Sequence, residues 1–243
     1  MKDLDKLKND SDYYGEFGKN WLSNSDIGTL LERPNTFGQQ RETTKAMMDG
    51  KLFHWLILEP EKAMSAPVVD VSTRTTKAYK EFIESNKLEH AYLLSEFEEL
   101  QRLAAKMTSH MAFYDIIFAD GCEYEVPAVG ELFGVKWKGK CDINHPEFIV
   151  DIKTTSDINK FKYSARSYYY DSQAYIYSHL FGKPLMFLVI DKETEQLGVF
   201  HTSTDFISGG ELRVKDAVEV YNRYFNPNTK HEDIKQHFIE SIL

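Results

Sequence analysis

The spacing of apolar residues changes after Gly121, and this change constrains the fold more than any other feature of the sequence. Before it, apolar residues recur at helical spacing, and the stretch 90–110 shows this most clearly. After it, short apolar or alternating runs predict five strands, at 123–128, 134–143, 148–155, 185–190 and 197–201. Helices are predicted at 168–181 and 209–225. This order predicts an α+β (α/β/α-like) fold with a central mixed β-sheet of about five strands, flanked by helices and preceded by a helical N-terminal half.

The length of 243 residues suits one domain with a sizeable core. We expect residues 1–20, which are polar, to form a flexible N-terminus. Residues 21–243 then form a single domain, with a helical part at 21–118 and a sheet-containing catalytic core at 119–243. Within the helical part, helices are predicted at about 39–58 and 75–86.

Composition excludes several classes of protein. The formal net charge of −9 argues against a protein that coats DNA without specificity, but an enzyme with a local basic surface stays open. The two cysteines, Cys122 and Cys141, exclude a disulfide framework and a four-cysteine zinc or iron–sulfur site. The N-terminus lacks the apolar segment of a signal peptide, and the longest apolar run, 185–190, is too short to span a bilayer. We therefore expect a cytoplasmic protein without membrane association.

The segment 138–153 carries the most informative polar residues. On a strand, Asp151 and Lys153 point to the same face because they are two residues apart. A turn centred on Pro146 and Glu147 would place Asp142 on the preceding strand directly opposite Asp151. A β-bulge would shift this register.

Two facing carboxylates repel each other, and a divalent cation between them turns that repulsion into attraction. Hard oxygen ligands favour Mg²⁺ or Mn²⁺. A neighbouring lysine can orient an attacking water or stabilise charge on a phosphodiester during hydrolysis. On spacing alone, a solvated pair of Asp and Lys on a strand is the more usual explanation of the pattern.

The motif Gly139-Lys140-Cys141-Asp142, followed by Val150-Asp151-Ile152-Lys153-Thr154-Thr155, resembles the PD-(D/E)XK nuclease superfamily and its RecB-like branch. The later pair Gln173 and Tyr177 resembles the Q-x-x-x-Y helix of that branch. Upstream segments resemble the exodeoxyribonuclease VIII (RecE-type) nuclease domain of phages and prophages; they are 23–26, 44–47, Gly50 with His54, 58–60 and 74–81. The resemblance implies a restriction-endonuclease-like core.

The resemblance also implies roles for individual residues. Asp142 and Asp151 would bind metal, Lys153 would be the catalytic lysine, and His54 would complete the metal shell. Gln173 would orient the site or a DNA phosphate. The implied cofactor is Mg²⁺, for which Mn²⁺ substitutes.

A glutamate near the start of the first core strand often belongs to the site in this branch. Glu123 and Glu125 both occupy that region, and Glu125 is a candidate metal ligand. The sequence leaves the choice between them open.

As a function, the resemblance implies a Mg²⁺-dependent exonuclease that degrades one strand of linear double-stranded DNA from its 5′ end. The 3′ single strand left behind would be used by a single-strand annealing recombinase. The enzyme would be phage or prophage encoded, would act at DNA ends in the bacterial cytoplasm, and would form a homo-oligomeric ring. Three alternatives stay open: a structure- or site-specific endonuclease, a catalytically silent DNA-binding protein, and a hydrolase of a small phosphorylated molecule.

Basic and aromatic residues supply further DNA-binding candidates. Arg74 and Lys77 fall on one predicted helix, and the stretch after 155 interleaves cations with aromatic rings. A solvated charged helix face explains both patterns as well. The DNA-binding candidates are Arg74, Lys77, Lys160, Lys162, Arg166 and Tyr177.

Overall fold

The computed structural model describes residues 2–39, 43–230 and 232–237. The helices of these ranges are α1 (Lys2–Leu7), α2 (Asp10–Tyr14), α3 (Asn24–Glu32), α4 (Lys45–Leu58), α5 (Pro60–Met64), α6 (Lys77–Asn86), α7 (Leu94–Ser109), α8 (Met111–Ile117), α9 (Phe161–Ser167), α10 (Tyr170–Phe181) and α11 (Thr204–Tyr224). The strands are β1 (Val68–Val69), β2 (Tyr92–Leu93), β3 (Glu123–Leu132), β4 (Val135–Asn144), β5 (Ile149–Thr155), β6 (Leu185–Asp191) and β7 (Leu197–His201).

The central sheet has five strands in the order β3-β4-β5-β6-β7. Neighbouring strands are antiparallel except for β5 and β6, which are parallel, so the sheet is mixed. A crossover through α9 and α10 joins the two parallel strands. The predicted α+β fold with a mixed five-stranded sheet is confirmed.

The sheet lies between two helical layers. On one face, apolar residues of α4, α7 and α8 pack against sheet residues such as Val150 and Ile152. On the other face, α3, α9, α10 and α11 pack against residues that include Trp137 and Phe187. Because both faces of the sheet are covered, β6 is buried along its whole length, and its residues 185–190 are all apolar.

Two glycines explain differences from the predicted boundaries. β3 continues to Leu132, beyond the predicted end at residue 128, and turns into β4 through Phe133 and Gly134, both at positive φ. The last helix begins at Thr204 instead of 209 because Gly210 is accommodated inside it. A Cβ at Gly210 would lie 2.0 Å from the Asp171 carbonyl oxygen, so glycine permits close packing of α11 on α10.

The first half also differs in detail from its prediction. The helix predicted at 39–58 begins at Lys45 in the structure, and the part of the prediction at 40–42 lies outside the described residues. Residues 1–20 were expected to be flexible, yet residues 2–20 form α1, α2 and a 3-10 turn at Phe17–Asn20. Leu7 and Tyr13 are buried there, because the segment packs against β3 and β4.

No stretch of helix in the described ranges combines the length and apolar composition that crossing a bilayer requires.

Candidate active site

The candidate site lies where β4 and β5 separate. Backbone pairing between these strands joins Ile143 with Val150 and Asn144 with Ile149, which is the register in which residue 142 would face residue 151. The ladder does not continue to that pair. Instead, the backbone N–H of Ile152 donates to Asp142 Oδ2 over 2.6 Å. The side chain of Asp142 therefore takes the place of a backbone partner and is held in the gap between the strands.

Three side chains from three different elements converge at Asp142. His54 of α4, Glu125 of β3 and Asp142 each offer one ligand atom, and these atoms lie within 4.8 Å of one another. His54 Nε2 is 2.8 Å from the carbonyl oxygen of Ile152, and its Nδ1 is 3.5 Å from Asp142 Oδ1. The cluster offers one imidazole nitrogen and two carboxylate oxygens. Such a compact set of ligand atoms suits a divalent cation.

The choice between Glu123 and Glu125 is decided by position. Glu123 is exposed and accepts a hydrogen bond from Asn144 Nδ2 at 3.0 Å, away from the cluster. Glu125 is half-buried beside Asp142 and has a φ of 52°, in the left-handed region that disfavours residues other than glycine. Strained backbone of this kind at a cluster of charged residues is typical of functional sites.

A second group of side chains surrounds Asp151. Gln173 of α10 donates from Nε2 to Asp151 Oδ1 at 2.5 Å, and the Lys153 ammonium contacts Asp151 Oδ2. The Lys153 Nζ also lies 4.9 Å from the centre of the Tyr170 ring. Both oxygens of Asp151 and the ammonium of Lys153 are thus held in one orientation. Sequence analysis singled out Asp151, Lys153 and Gln173 but not Tyr170, for which the sequence offered no signal beyond its place in an aromatic run.

The pKa shifts follow from the crowding of like charges. Burial raises the pKa of Asp142 well above its ordinary value, and the nearby charge of Asp151 raises it further. Burial and the charge of Asp142 raise the pKa of Glu125 to about 7. For Lys153, burial lowers the pKa, but the charges of Asp151, Tyr170 and Asp142 and the hydrogen bond to Asp151 together outweigh burial, so the pKa lies above its ordinary value. Lys153 is therefore a cation at neutral pH.

A divalent metal ion fits this set of residues. Asp142 is 5% exposed and faces another carboxylate, an arrangement that costs free energy until a cation is bound between them. His54, Glu125 and Asp142 would hold the ion, and Asp151 lies close enough for its charge to act on Asp142. Carboxylate oxygens with one imidazole form a donor set that divalent cations bind.

The predicted DNA-binding residues make separate local contacts. Tyr177 is buried, its hydroxyl accepts from the backbone N–H of Lys140 at 3.4 Å, and its ring packs on Gly139. In this structure it is a packing residue instead of a surface contact, since a Cβ at Gly139 would lie 2.8 Å from its ring.

The five predicted DNA-binding cations have local contacts. Arg74 donates to both oxygens of Glu96, and Lys162 lies over the Tyr163 ring. The remaining cations each pair with an acid, Lys77 with Glu81, Lys160 with Asp157 and Arg166 with Asp205. Their role at DNA stays a prediction.

Sequence analysis missed an association between the N-terminal segment and β4. The buried ammonium of Lys140 pairs with Asp10 Oδ1 of α2 at 2.7 Å. That of Lys138 donates to the carbonyl oxygen of Tyr13 at 2.5 Å. Their separation of more than 120 residues in the sequence explains why no local pattern indicated these contacts.

Comparisons with known proteins identify a family and a similar fold. The profile of a family described as "PDDEXK-like domain of unknown function (DUF3799)" matches residues 29–233. A crystal structure described as "Putative exonuclease" from Eubacterium rectale is similar over 88% of this chain and 86% of its own, with 21% identity and a TM-score of 0.62. At that identity, the likeness shows the fold.

A phage related exonuclease from Haemophilus somnus 129PT aligns over 83% of this chain and 93% of its own, with 12% identity and a TM-score of 0.36. No curated protein matches the sequence.

Proposed function

This chain belongs to the family of PDDEXK-like domains designated DUF3799 and has the PD-(D/E)XK nuclease fold, and from that premise we propose that it is a Mg²⁺-dependent deoxyribonuclease. One observation carries the proposal. His54, Glu125 and Asp142 place their ligand atoms within 4.8 Å of one another beside Asp151 and Lys153. Five functional groups from α4, β3, β4 and β5 therefore converge at one point, although 99 residues separate His54 from Lys153 in the sequence.

The residues of the site suggest how hydrolysis proceeds. A bound Mg²⁺ would supply Lewis acidity to the scissile phosphate and would acidify a water molecule. Asp142 is oriented for this task by the N–H of Ile152, and His54 by the carbonyl of Ile152, so the backbone of one residue of β5 positions two ligands. Gln173 holds the Asp151 carboxylate in place.

Lys153 has a separate role. As a cation held by Asp151 and by the face of Tyr170, it donates hydrogen bonds and does not accept a proton. We therefore assign it to stabilising the negative charge that develops on the phosphoryl oxygens in the transition state.

The mode of cleavage that we propose is exonucleolytic, from 5′ to 3′ on linear double-stranded DNA, leaving 3′ single-stranded overhangs for phage-type recombination. The RecE-type motifs of the sequence support this mode, and the similar structure from Eubacterium rectale is described as a putative exonuclease. The proposal includes a homo-oligomeric ring, a single-strand annealing recombinase as partner and action in the bacterial cytoplasm. The proposed nuclease domain spans residues 21–243, and residues 2–20 pack onto it.

The test is digestion of linear duplex DNA labelled separately at its 5′ and 3′ ends, with covalently closed circular DNA alongside. Each substrate is incubated with Mg²⁺, with Mn²⁺ and with EDTA, using the wild-type protein and Lys153→Ala. We expect Mg²⁺-dependent loss of the 5′ label from linear DNA only. Lys153→Ala should lower the rate by about 100-fold or more, as for removal of one transition-state donor. Gel filtration with light scattering measures the oligomeric state.

The other outcomes lead to different conclusions. Cleavage of the closed circle would replace the exonuclease by an endonuclease on the same fold. Loss of the 3′ label first would reverse the polarity. DNA binding without cleavage of either substrate in Mg²⁺ or Mn²⁺ would show a silent DNA-binding protein.

A further inference from the structure

The N-terminal segment, residues 2–20, lies ahead of the part of the chain that matches the family, residues 29–233. It comprises α1, α2 and the 3-10 turn at Phe17–Asn20. Despite its polar sequence, the segment packs on the sheet next to the metal site, because β3 and β4 provide its contacts. A segment that is extra to the matched region and adjoins the site is a place to look for substrate contacts particular to this chain.

Two buried lysines of β4 hold α2 in place. Lys140 pairs with Asp10, and the Lys138 ammonium donates to the Tyr13 carbonyl oxygen. Both ammonium groups also lie over the Tyr13 ring, at 4.4 Å for Lys138 and 4.8 Å for Lys140. Gly18 is needed beside them, since a Cβ there would lie 1.9 Å from the Tyr13 carbonyl oxygen. The end of α2 is therefore fixed in position by buried contacts.

Tyr14 is presented to solvent by this rigid segment. Its neighbour Tyr13 is 5% exposed, whereas Tyr14 is 71% exposed. The two rings meet edge to face, with their centres 4.9 Å apart and an angle of 74° between their planes. The Tyr13 ring and the Lys140 ammonium, 5.9 Å from the Tyr14 ring centre, support the exposed ring from the protein side. A large aromatic surface is thus held open to solvent with little conformational freedom.

This open ring lies beside the metal site. Lys140 precedes Asp142 by two residues in β4, which corresponds to about 7 Å along a strand. The pKa of the Tyr14 phenol is raised by desolvation on the side of the ring that faces the protein and by the charges of Asp10, Glu125 and Asp142, whereas the charge of Lys153 lowers it. Three groups of the site therefore lie within electrostatic range of Tyr14, and the phenol stays neutral at physiological pH.

We propose that Tyr14 is a substrate-positioning residue whose ring stacks on a nucleobase of the DNA strand bound at the adjacent metal site. This inference rests on the proposed nuclease function and adds a base contact to it. The acidic residues at the site repel phosphate groups, so a neutral aromatic surface next to them adds affinity that charge cannot supply there. Stacking tolerates every base, because each base has an aromatic face, and Tyr14 adds no sequence preference.

The experiment uses the full-length protein and the variants Tyr14→Ala, Tyr14→Phe and Tyr14→Trp. Tyr114→Ala is the matched control, because Tyr114 is also exposed, at 54%, but lies on α8. Duplexes carry 2-aminopurine, a fluorescent base whose emission reports stacking, at the first, second or third nucleotide from the 5′ end, one position per duplex. Binding is measured with Ca²⁺ in place of Mg²⁺ to prevent cleavage, and kcat and KM are measured on the same duplexes in Mg²⁺.

We expect Tyr14→Ala to abolish the fluorescence change at one of the three positions. It should lower kcat/KM by about tenfold, within the range for loss of one stacked base. Phe and Trp at position 14 should preserve both quantities, and Tyr114→Ala should match the wild type. The rise in Tm that Mn²⁺ produces should be unchanged in Tyr14→Ala, which shows that the metal site is intact.

The outcomes separate this inference from the proposed function. If the wild type cleaves DNA and Tyr14→Ala behaves like Tyr114→Ala, the stacking role is wrong and the nuclease assignment stands. If Tyr14→Phe is as impaired as Tyr14→Ala, the hydroxyl group acts and stacking is again wrong. If the wild type binds DNA without cleaving it but the fluorescence change depends on Tyr14, the nuclease assignment fails and the stacking role stands. Absence of DNA binding by the wild type would overturn both.

Discussion

Strand β4 carries buried charged groups in two neighbouring regions, and they are compensated differently. At Lys138 and Lys140, each ammonium has a partner from the N-terminal segment, namely a carbonyl oxygen or a carboxylate, together with the face of Tyr13. Two residues later, the Asp142 carboxylate faces Glu125, a group of the same sign, and His54, whose pKa is lowered by burial and by Lys153. In the first region each buried charge has a partner from the chain itself, whereas the second region has an excess of negative charge.

The difference separates charges that hold the structure together from charges that serve a ligand. A buried ion pair with a full set of partners contributes to the folded state only when both partners are present. A cluster of like charges destabilises the folded chain and is stabilised by a cation. Substitutions in the two regions should therefore have opposite effects on stability.

The largest expected effect is that of Asp142→Asn on activity. This substitution removes a carboxylate ligand, so it should reduce cleavage by at least about 100-fold, because even partners in the outer shell of a metal cost 10- to 100-fold. In EDTA the same variant should be more stable than the wild type by about 1 kcal/mol, since one of two facing like charges is removed. For a chain of this size, that raises the Tm by about 2–4 °C. The cleavage assay on linear duplex DNA measures the loss of activity, and differential scanning fluorimetry with EDTA and with Mn²⁺ measures the change in Tm.

The matched control is Asp191→Asn. Asp191 is 3% exposed, but its two oxygens accept hydrogen bonds from the backbone N–H groups of Ile158, Glu193 and Thr194. An amide offers one oxygen acceptor in place of two, so this variant should lower the Tm in EDTA and in Mn²⁺ alike. An Asp142→Asn protein that is also destabilised in EDTA would contradict the distinction between the two regions.

A smaller effect concerns the ion pair of the N-terminal segment. Asp10→Asn leaves the Lys140 ammonium, whose side chain is 4% exposed, without its counter-charge. It should lower the free energy of unfolding by about 2 kcal/mol. Lys140→Met should cost less, because the Asp10 side chain is 31% exposed and lies 3.9 Å from Lys62. Urea denaturation measures how much free energy of unfolding each variant loses. Equal losses in the two variants would show that both groups are solvated equally.

A further expected effect is a dependence of stability on pH. Burial lowers the pKa of Lys138 from 10.5 to about 8. Between these two pH values the unfolded chain binds a proton at Lys138 that the folded chain has released, so the contribution of Lys138 to stability rises with pH. Below pH 8 both states are protonated, and this contribution is constant at its lowest value.

Lys138→Met removes that contribution and nearly preserves the volume of the side chain. The free energy of unfolding of the wild type, relative to Lys138→Met, should increase from pH 8 to pH 10. Urea denaturation at intervals of half a pH unit measures this difference, and a flat or falling difference would show that Lys138 stays charged in the folded protein.

Short-range pattern sufficed for much of the fold. The period of the apolar residues predicted the helical first half, the five strands and the helix between the parallel strands, because burial on one face imposes that period locally. The spacing of Asp151 and Lys153 predicted their common face, and the turn near Pro146 predicted the register that brings residue 142 towards residue 151. Each of these features depends on residues within about twenty positions of one another.

The sequence by itself therefore determined the fold class, the family resemblance and the pair of strands that bears Asp142, Asp151 and Lys153. Only the tertiary structure placed Glu125 beside His54 and Asp142 and placed Glu123 beside Asn144 instead. Only the tertiary structure placed the N-terminal segment on β4, since the partners of Lys138 and Lys140 are more than 120 residues away. Periodicity reports which face of an element is buried, but the identity of the group that covers it is decided by packing between distant parts of the chain.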